Sequence, residues 1–251
     1  MLVVGNLKMN METVKMREDY LNDFEKYKNE IPDNIDMVVC PQMLYVERFV
    51  NFFNSSNIRV GAQDSFWELY GSFTGQSSPK TISSLGAEYV ILGHSERRVL
   101  GETDDYIVKK VDKALKVGLK PIICIGFSYG DYDEIESISR SVNVIMESIN
   151  KDNCKNIIFA YEPVWAIGSG KVPTAEDIYT VVLLVKKIVG KYFSDCLEYV
   201  RILYGGSVSV DNILDITNGS HIDGVLVGGA SLQAERFVQL AKVIGNLNLD
   251  K

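Results

Sequence analysis

Residues 160–171 hold the side chains whose types and spacing are best suited to chemistry. The segment reads Ala-Tyr-Glu-Pro-Val-Trp-Ala-Ile-Gly-Ser-Gly-Lys and places the carboxylate of Glu162 just after an apolar run. Pro163 fixes its own φ and favours an extended backbone at Glu162. Gly168 and Gly170 allow the chain to approach a ligand closely. A fixed acid beside a segment that can move predicts a catalytic base with a lid; the alternative is a surface loop with an ordinary exposed glutamate.

Lys8 and His94 are two further side chains suited to a reaction on an anion. Lys8 follows the first apolar run and offers a fixed positive charge, unless it is a solvated surface lysine. If a helical turn begins at Ser95, its backbone N–H groups favour a neutral His94, which can donate a hydrogen bond to a carbonyl. The alternative is a polar residue with structural partners only. The other histidine, His221, precedes the last strand and is predicted to lie on the opposite face.

Two glycine turns predict a phosphate site. Gly-Gly-Ser at residues 205–207 and Gly-Gly-Ala at residues 228–230 each follow an apolar run and are predicted to precede a helix. Such turns expose backbone N–H groups, and a helix N-terminus favours an anion, although either turn alone is explained by a tight bend. A base, a neutral hydrogen-bond donor, a cation and a phosphate cradle together suit proton abstraction beside a carbonyl on a small phosphorylated substrate.

The elements that position these groups are alternating strands and helices. Eight short apolar runs, rich in Val and Ile and bounded by turn residues, are typical of buried parallel strands; they are residues 2–5, 37–40, 58–62, 89–92, 122–125, 157–160, 201–204 and 225–227.

Helical periodicity lies between the runs. It predicts one helix with the buried face Ile135, Ile138, Val142, Ile145 and Ile149, and another with the buried face Ile178, Val181, Val182, Val185, Ile188 and Val189. Thr174 is predicted to cap the second of these helices, and Gly118 to end a different helix.

Eight β-then-α units in 251 residues predict an α/β fold, a closed (β/α)8 barrel that occupies residues 1–251 as a single domain. A doubly wound sheet is the alternative, but it usually carries a glycine-rich fingerprint after the first strand, and Gly-Asn-Leu-Lys is not one. Polar residues follow the strands at their carboxyl ends, where barrel enzymes place their sites; they include Asn6, Lys8, Gln63, Asp64, His94, Glu96 and Glu162.

The bulk composition excludes some classes of function. The net charge is −7, from 26 basic and 33 acidic residues, and no run of like charges occurs, so we expect neither nucleic-acid binding nor binding to an anionic membrane. No apolar stretch approaches the ~18 residues of a membrane span, and no signal peptide is recognised at the start. These features predict a cytoplasmic protein.

The four cysteines, Cys40, Cys124, Cys154 and Cys196, are scattered without a C-x-x-C motif. This spacing predicts buried free thiols in a reducing compartment, with no disulfide. No set of residues has metal-ligand spacing, so no metal site is predicted.

Over essentially its whole length the sequence resembles the triosephosphate isomerase family. The resemblance is carried by Gly-Asn-Leu-Lys-Met-Asn (5–10), Gly-His-Ser-Glu-Arg-Arg (93–98), Tyr-Glu-Pro-Val-Trp-Ala-Ile-Gly-Ser-Gly-Lys (161–171), Tyr-Gly-Gly-Ser-Val (204–208) and Val-Gly-Gly-Ala-Ser-Leu (227–232). It implies interconversion of dihydroxyacetone phosphate and D-glyceraldehyde 3-phosphate through an enediolate, in glycolysis and gluconeogenesis, with no cofactor.

The resemblance also implies a role for each site residue. Glu162 would be the base and His94 would polarise the carbonyl. Lys8, with Asn6, would stabilise negative charge, and Glu96 would support Lys8. Tyr204 would hold the lid closed, and closure of the lid would suppress elimination of phosphate. Backbone groups would bind the phosphate; they belong to Gly168, Ser207, Gly228 and Gly229.

The loop 66–79, which begins at Phe66 and ends at Pro79, resembles the segment that inserts into the other subunit of a homodimer. Thr74 would then lie near the partner's Asn6 and the partner's Glu96. The chain departs from the family pattern at several positions: Leu7 replaces a usual Trp, Gln76 an acid, Phe127 a Glu, and Val172-Pro173 the small residues of the second lid hinge. Pro173 either stiffens that hinge or simply precedes the next helix.

Two rival functions remain open at this point. One is another phosphate-binding barrel enzyme, such as an aldolase with a Schiff base on Lys8, although such a lysine needs an apolar pocket. The other is a non-catalytic binding protein on the same scaffold, which the presence of Lys8, His94 and Glu162 disfavours.

Overall fold

Eight parallel strands close into a barrel in the computed structural model, which describes residues 1–126, 133–166 and 172–247. Each strand pairs with the next along the chain, and the last pairs with the first. The predicted barrel is therefore confirmed, and each predicted strand is found within two residues of its predicted bounds. The strands are β1 Leu2–Asn6, β2 Asp36–Cys40, β3 Ile58–Ala62, β4 Tyr89–Leu92, β5 Lys120–Ile125, β6 Ile158–Tyr161, β7 Arg201–Tyr204 and β8 Gly224–Val227.

Helices surround the strands. Among the described residues the α-helices are α1 Val14–Tyr27, α2 Val46–Phe53, α3 Pro79–Ser84, α4 Ser95–Val99, α5 Asp104–Lys116, α6 Glu134–Ser148, α7 Ala175–Tyr192, α8 Ile213–Thr217 and α9 Ala234–Leu247. Short 3-10 turns occur at Lys28–Glu30, Met43–Tyr45, Lys151–Asn156, Val164–Ala166, Ser194–Cys196 and Gly229–Leu232. None of the described helices has the length and apolar character needed to cross a membrane.

The apolar core has two layers because strand residues alternate between the two faces of the sheet. One set of buried side chains fills the barrel, including Leu2, Val38, Ile91, Ile122, Ile158 and Leu226. The other set packs between the sheet and the helices, including Val3, Val39, Phe49, Phe159, Val225 and Phe237.

α7 begins where predicted because Thr174 and Asp177 form a capping box. The Thr174 hydroxyl accepts the Asp177 N–H at 3.2 Å, and the Asp177 carboxylate accepts the Thr174 N–H at 2.9 Å. All six residues of the predicted face of α7 are buried. Pro173 directly precedes this cap and is buried, a position compatible with the alternative that it only leads into the helix. The hinge alternative involves Lys171, which lies outside the described residues.

The buried face predicted for α6 is confirmed for its three central residues and is wrong for its first and last residues. Ile138, Val142 and Ile145 are fully buried, but Ile135 is 42% exposed and Ile149 follows the last helical residue. Periodicity alone does not locate the cap, which is Asp133; its carboxylate accepts the Ile135 N–H at 2.9 Å. The end predicted at Gly118 is correct, since α5 stops at Lys116 and Gly118 adopts a φ of 82°.

The prediction of four free thiols is wrong for one pair. Cys154 and Cys196 form a disulfide with a Cα–Cα distance of 6.0 Å, whereas Cys40 and Cys124 are buried and free. The two bonded cysteines lie in the turns just before β6 and just before β7. Because these strands are neighbours in the barrel, the turns that precede them meet at its amino end. The two cysteines are 42 residues apart in sequence, so their contact is not apparent from the sequence.

Candidate active site

A cavity of about 380 Å³ opens at the carboxyl ends of the strands. It brings together eight predicted site residues: Asn6, Lys8, His94, Glu96, Glu162, Ser207, Gly228 and Gly229. Two cavities of about twice this volume, 840 and 750 Å³, include Arg201 and Asp36 near the amino ends of the strands. His221 lines the larger of these two, so it lies away from the site as predicted. Among the described residues no group of acidic, cysteine or histidine side chains is arranged to hold a metal ion.

Glu162 follows the last residue of β6 and is 2% exposed. One carboxylate oxygen, Oε2, accepts the Ser95 N–H at 2.9 Å, and the other, Oε1, lies 3.0 Å from His94 Nε2. Burial raises the pKa of this carboxyl, and the interactions with His94, Ser95 and Lys8 only partly oppose that rise. The site therefore holds a carboxylate whose affinity for a proton is increased.

The backbone around Glu162 is fixed on both sides. The Glu162 N–H donates to the Ile125 carbonyl at 2.8 Å, and the Gly205 N–H donates to the Tyr161 carbonyl at 2.7 Å. A Cβ at Gly205 would lie 3.0 Å from the Glu162 Cγ, so the first glycine of the 205–207 turn leaves room for the carboxylate. This steric role was not predicted from the sequence.

His94 is the N-cap of α4, as the sequence predicted from the following amides. Its Nδ1 accepts the Glu96 N–H at 3.2 Å. A nitrogen that accepts a hydrogen bond carries no hydrogen, so the geometry assigns the neutral tautomer with hydrogen on Nε2. That Nε2–H points at Glu162. Arg98 holds the preceding residue, since its Nε donates to the Gly93 carbonyl at 2.9 Å.

Lys8 adopts a left-handed backbone with a φ of 49°, which costs about 1–3 kcal/mol for a non-glycine residue. Two neighbours hold this backbone conformation, and a third contacts the side chain. The Asn6 side chain accepts the Lys8 N–H at 3.0 Å, and the Gln63 amide donates to the Lys8 carbonyl at 2.9 Å. The Lys8 ammonium lies 2.7 Å from the Glu96 carboxylate. A Cβ at Gly228 would lie 3.2 Å from the Lys8 Cε, so that glycine admits the lysine stem.

The two glycine turns line the same side of the cavity but differ in structure. The Gly229–Leu232 turn begins two residues after the end of β8 and precedes α9, in agreement with the helix predicted after residues 228–230. The 205–207 turn does not directly precede a helix, because α8 begins only at Ile213. The sequence missed Asn212, whose side chain shapes this turn: it accepts the Ser209 N–H at 2.8 Å and donates to the Ser207 carbonyl at 3.0 Å.

Tyr204 ends β7 and is completely buried. Its hydroxyl has no hydrogen-bond partner among the described residues, and burial raises its pKa. A Cβ at Gly206 would collide with this hydroxyl, which explains the second glycine of the turn. The predicted phosphate ligand Gly168 and the predicted lid tip lie outside the described residues.

A buried charged cluster behind His94 was not predicted. Lys110 is 2% exposed; its ammonium lies 2.7 Å from Asp64 Oδ1 and also bonds Glu102. Arg97 approaches the other oxygen of Asp64 at 2.9 Å. These charged residues come from α4, from α5 and from the loop that follows β3, so no local sequence pattern predicts the cluster. The ion pairs hold α4 against the neighbouring elements.

The chain is similar to proteins of one family over almost its whole length. The family model described as triosephosphate isomerase matches residues 1–244. The chain is 40% identical over 246 residues to the triosephosphate isomerase of Natranaerobius thermophilus, which covers 96% of this chain and 95% of that relative. It is 39% identical over 243 residues to that of Alkaliphilus oremlandii, with 94% and 96% covered. For the Finegoldia magna protein the identity is 38% over 245 residues, with 95% and 96% covered.

Proposed function

Because the chain belongs to the triosephosphate isomerase family, we propose that Glu162, His94 and Lys8 carry out the family's reaction in this protein. That reaction interconverts dihydroxyacetone phosphate and D-glyceraldehyde 3-phosphate in glycolysis and gluconeogenesis. One observation carries the assignment of roles: a buried carboxylate of raised pKa lies 3.0 Å from a neutral imidazole, in a cavity that also contains a lysine.

Glu162 is the proposed base. A carboxyl whose pKa is raised holds a proton more firmly, so it is better matched to abstraction from the carbon beside a carbonyl. The same group then returns the proton to the adjacent carbon. To do this the carboxylate must exchange its hydrogen bond with Ser95 for contact with the substrate.

His94 is the proposed electrophile. Its Nε2–H now faces Glu162, and a substrate carbonyl oxygen would replace that carboxylate as the acceptor. A neutral imidazole can stabilise the enediolate by hydrogen bonding without giving up a full proton. The amide of Glu96 supports this tautomer through Nδ1.

Lys8 and the two glycine turns are the proposed binding groups for the negative charge of the substrate. Lys8 supplies a local positive charge in a protein whose net charge is −7, with Asn6 and Glu96 orienting it. The backbone of Ser207, Gly228 and Gly229 lines the cavity on the side where we place the phosphate. Gly168 and a latch formed by Tyr204 complete the proposal; within the part of the chain that the structure describes, the buried Tyr204 hydroxyl has no hydrogen-bond partner.

We also propose a homodimer formed through the loop 66–79. The loop is closed by the Phe66 N–H, which donates to the Ser77 carbonyl at 2.8 Å, and the Phe66 ring packs 4.8 Å from that of Phe73. Large apolar side chains on this loop and on other loops are exposed in the single chain: Met9, Leu44, Tyr70, Phe73 and Leu100. A second copy that covers them would place Thr74 near the site of its neighbour.

A cytoplasmic location follows from the proposed reaction, which acts on intermediates of central metabolism. The Cys154–Cys196 disulfide is compatible with that location if reductants reach it slowly. Both cysteines are almost fully buried, at 3% and 2% exposure, and exchange requires a thiolate to reach a sulfur atom.

A coupled assay on the purified protein tests the proposal. We expect turnover of D-glyceraldehyde 3-phosphate to dihydroxyacetone phosphate, and no covalent adduct on Lys8 after borohydride treatment with a ketose phosphate. The Lys8 ammonium is engaged by Glu96, so it is poorly placed as an amine nucleophile. Trapping on Lys8 would favour the aldolase alternative, and phosphate binding without turnover would favour a binding protein.

A further inference from the structure

We infer that Tyr20 and Ser231 position the Gly228–Gly229 peptide toward the phosphate of the substrate, an inference that rests on the proposed placement of the phosphate beside this peptide. Tyr20 belongs to α1, one of the helices around the barrel, and is 6% exposed. Its hydroxyl donates a hydrogen bond to the Ser231 carbonyl at 3.0 Å. Ser231 lies in the Gly229–Leu232 turn and is completely buried. A side chain of a surrounding helix therefore holds the turn that lines the cavity.

Two donors of Ser231 converge on the Gly228 carbonyl. The Ser231 N–H donates to this oxygen at 3.0 Å, and the Ser231 hydroxyl lies 2.6 Å from it. The hydroxyl also lies 3.1 Å from the Val227 carbonyl and 3.4 Å from the Asn6 carbonyl, between the ends of β8 and β1. A hydroxyl has one hydrogen to donate, and the shortest distance assigns that hydrogen to Gly228. Ser231 thus fixes the direction of the Gly228 carbonyl.

The direction of the Gly228 carbonyl sets the direction of the next N–H group. The Gly228–Gly229 peptide is trans, so its C=O and N–H groups point in opposite directions. Because Ser231 holds the carbonyl, the Gly229 N–H is directed away from Ser231, and both glycines line the cavity. A Cβ built on Gly229 would meet no other heavy atom of the described residues within 4 Å, so an anion has room beside this N–H.

Packing of the Tyr20 ring does not account for its hydroxyl. The rings that contact Tyr20 belong to Phe24 and Phe49, with centroids 5.7 and 6.0 Å away. A phenylalanine at position 20 would fill the same space, so the hydroxyl is distinguished by its hydrogen bond to Ser231. Burial raises the pKa of Tyr20, which keeps the hydroxyl protonated and able to donate.

The first test compares Tyr20→Phe with the matched control Tyr27→Phe. Tyr27 is the last residue of the same helix and is half-buried. Loss of a neutral hydrogen bond in Tyr20→Phe is expected to raise the inhibition constant of inorganic phosphate, and to lower kcat/KM for D-glyceraldehyde 3-phosphate, by roughly fivefold each. Tyr27→Phe should match the wild type. Inhibition by phosphate that is equal in the two variants would overturn the inference.

The second test uses D-glyceraldehyde, which presents the same carbonyl without a phosphate. Since Tyr20 acts through the phosphate turn and not through Glu162 or His94, Tyr20→Phe should isomerise D-glyceraldehyde within about twofold of the wild-type rate, measured by ¹H NMR. An equal loss with both substrates would mean that the variant disturbs the whole site, and would overturn the inference.

Ser231→Ala gives a decision if Tyr20→Phe does not fold. It removes the hydroxyl donor to the Gly228 carbonyl and keeps the N–H donor. We expect the same pattern, with weaker inhibition by inorganic phosphate and an unchanged rate with D-glyceraldehyde. Unchanged inhibition by phosphate in folded Ser231→Ala would overturn the inference.

The wild-type protein supplies a measurement that needs no variant. In a ¹H–¹⁵N spectrum the amide signal of Gly229 should shift on titration with inorganic phosphate, because its N–H is directed at the anion. An unmoved Gly229 signal at saturating phosphate would overturn the inference and leave the proposed reaction intact. The proposed reaction itself fails only if the wild type does not turn over D-glyceraldehyde 3-phosphate.

Discussion

At the scale of single residues, the candidate site combines groups that a protein core normally avoids. Glu162 is an almost fully buried carboxylate, and Lys8 is a non-glycine residue with a positive φ. Each is retained by several neighbours: Ser95 and His94 for the former, Asn6 and Gln63 for the latter. Such strain and burial, concentrated in one cavity, are what pre-organised chemistry requires.

The first prediction removes the base. Glu162→Gln preserves shape but cannot accept a proton from carbon, so kcat should fall by at least ~10⁴-fold, the upper end for general acid–base catalysis. The coupled assay measures this, with circular dichroism to show that the variant is folded. A kcat near that of the wild type would remove Glu162 from the mechanism.

The second prediction concerns stability against pH. The pKa of Glu162 is raised in the folded state, so between its unfolded and folded values the folded protein binds more protons than the unfolded chain. At low pH this carboxyl is protonated in both states and does not lower the free energy of unfolding. As pH rises from about 4.5 through the pKa of the folded state, the carboxyl increasingly lowers the free energy of unfolding. Urea unfolding from pH 5 to 8 should show wild-type stability declining relative to Glu162→Gln. Parallel curves would contradict the raised pKa.

At the scale of elements, sequence patterns located the strands well because a buried parallel strand needs a continuous apolar run. They located the start of α7 because Thr174 and Asp177 are adjacent in sequence as well as in space. They failed where partners meet only through the fold. The Cys154–Cys196 bond, the Lys110 cluster and the hydrogen bond from Trp165 to Glu134 all join residues from different units of the barrel.

The third prediction tests the disulfide between the turns before β6 and β7. A cross-link that spans 42 residues of sequence stabilises a protein by about 4 kcal/mol in the chain-entropy description. Reductant should therefore lower the melting temperature by roughly 8–16 °C. The Cys154→Ser/Cys196→Ser variant is the control, because it should melt at the lower temperature with or without reductant. Four reactive thiols in the unreduced, denatured protein would contradict the bond.

At the scale of the whole molecule, the candidate active site and the disulfide lie at opposite ends of the barrel. The carboxyl ends of the strands collect the base, the imidazole and the lysine, whereas the amino end carries the Cys154–Cys196 link. A net charge of −7 opposes anionic ligands in general, so we expect the binding of a phosphorylated substrate to depend on Lys8 and on the backbone of the two glycine turns. Two large apolar side chains of the loop 66–79, Tyr70 and Phe73, are exposed, and the proposed homodimer would cover them.

The fourth prediction concerns the proposed homodimer, in which the resemblance to the family implies that residue 76 would face Arg97 of the other subunit. Gln76 lies at the exposed tip of the loop 66–79 and offers only a neutral hydrogen bond. Within its own chain the Arg97 guanidinium lies 2.9 Å from Asp64 and 3.5 Å from Glu102, and the side chain is 40% exposed. An added carboxylate would make a charge-assisted hydrogen bond with this guanidinium, which is stronger than a neutral one.

Gln76→Glu should therefore shift dimer dissociation to lower protein concentration in sedimentation equilibrium, by roughly tenfold for a gain of about 1.4 kcal/mol. The shift should shrink at high salt, because the gain is electrostatic. Gln239→Glu is the matched control, since it adds the same charge at an exposed position on α9. If both variants dissociate like the wild type, or if Gln76→Glu weakens the dimer, then residue 76 does not face Arg97 across the interface and the loop must dock in another way.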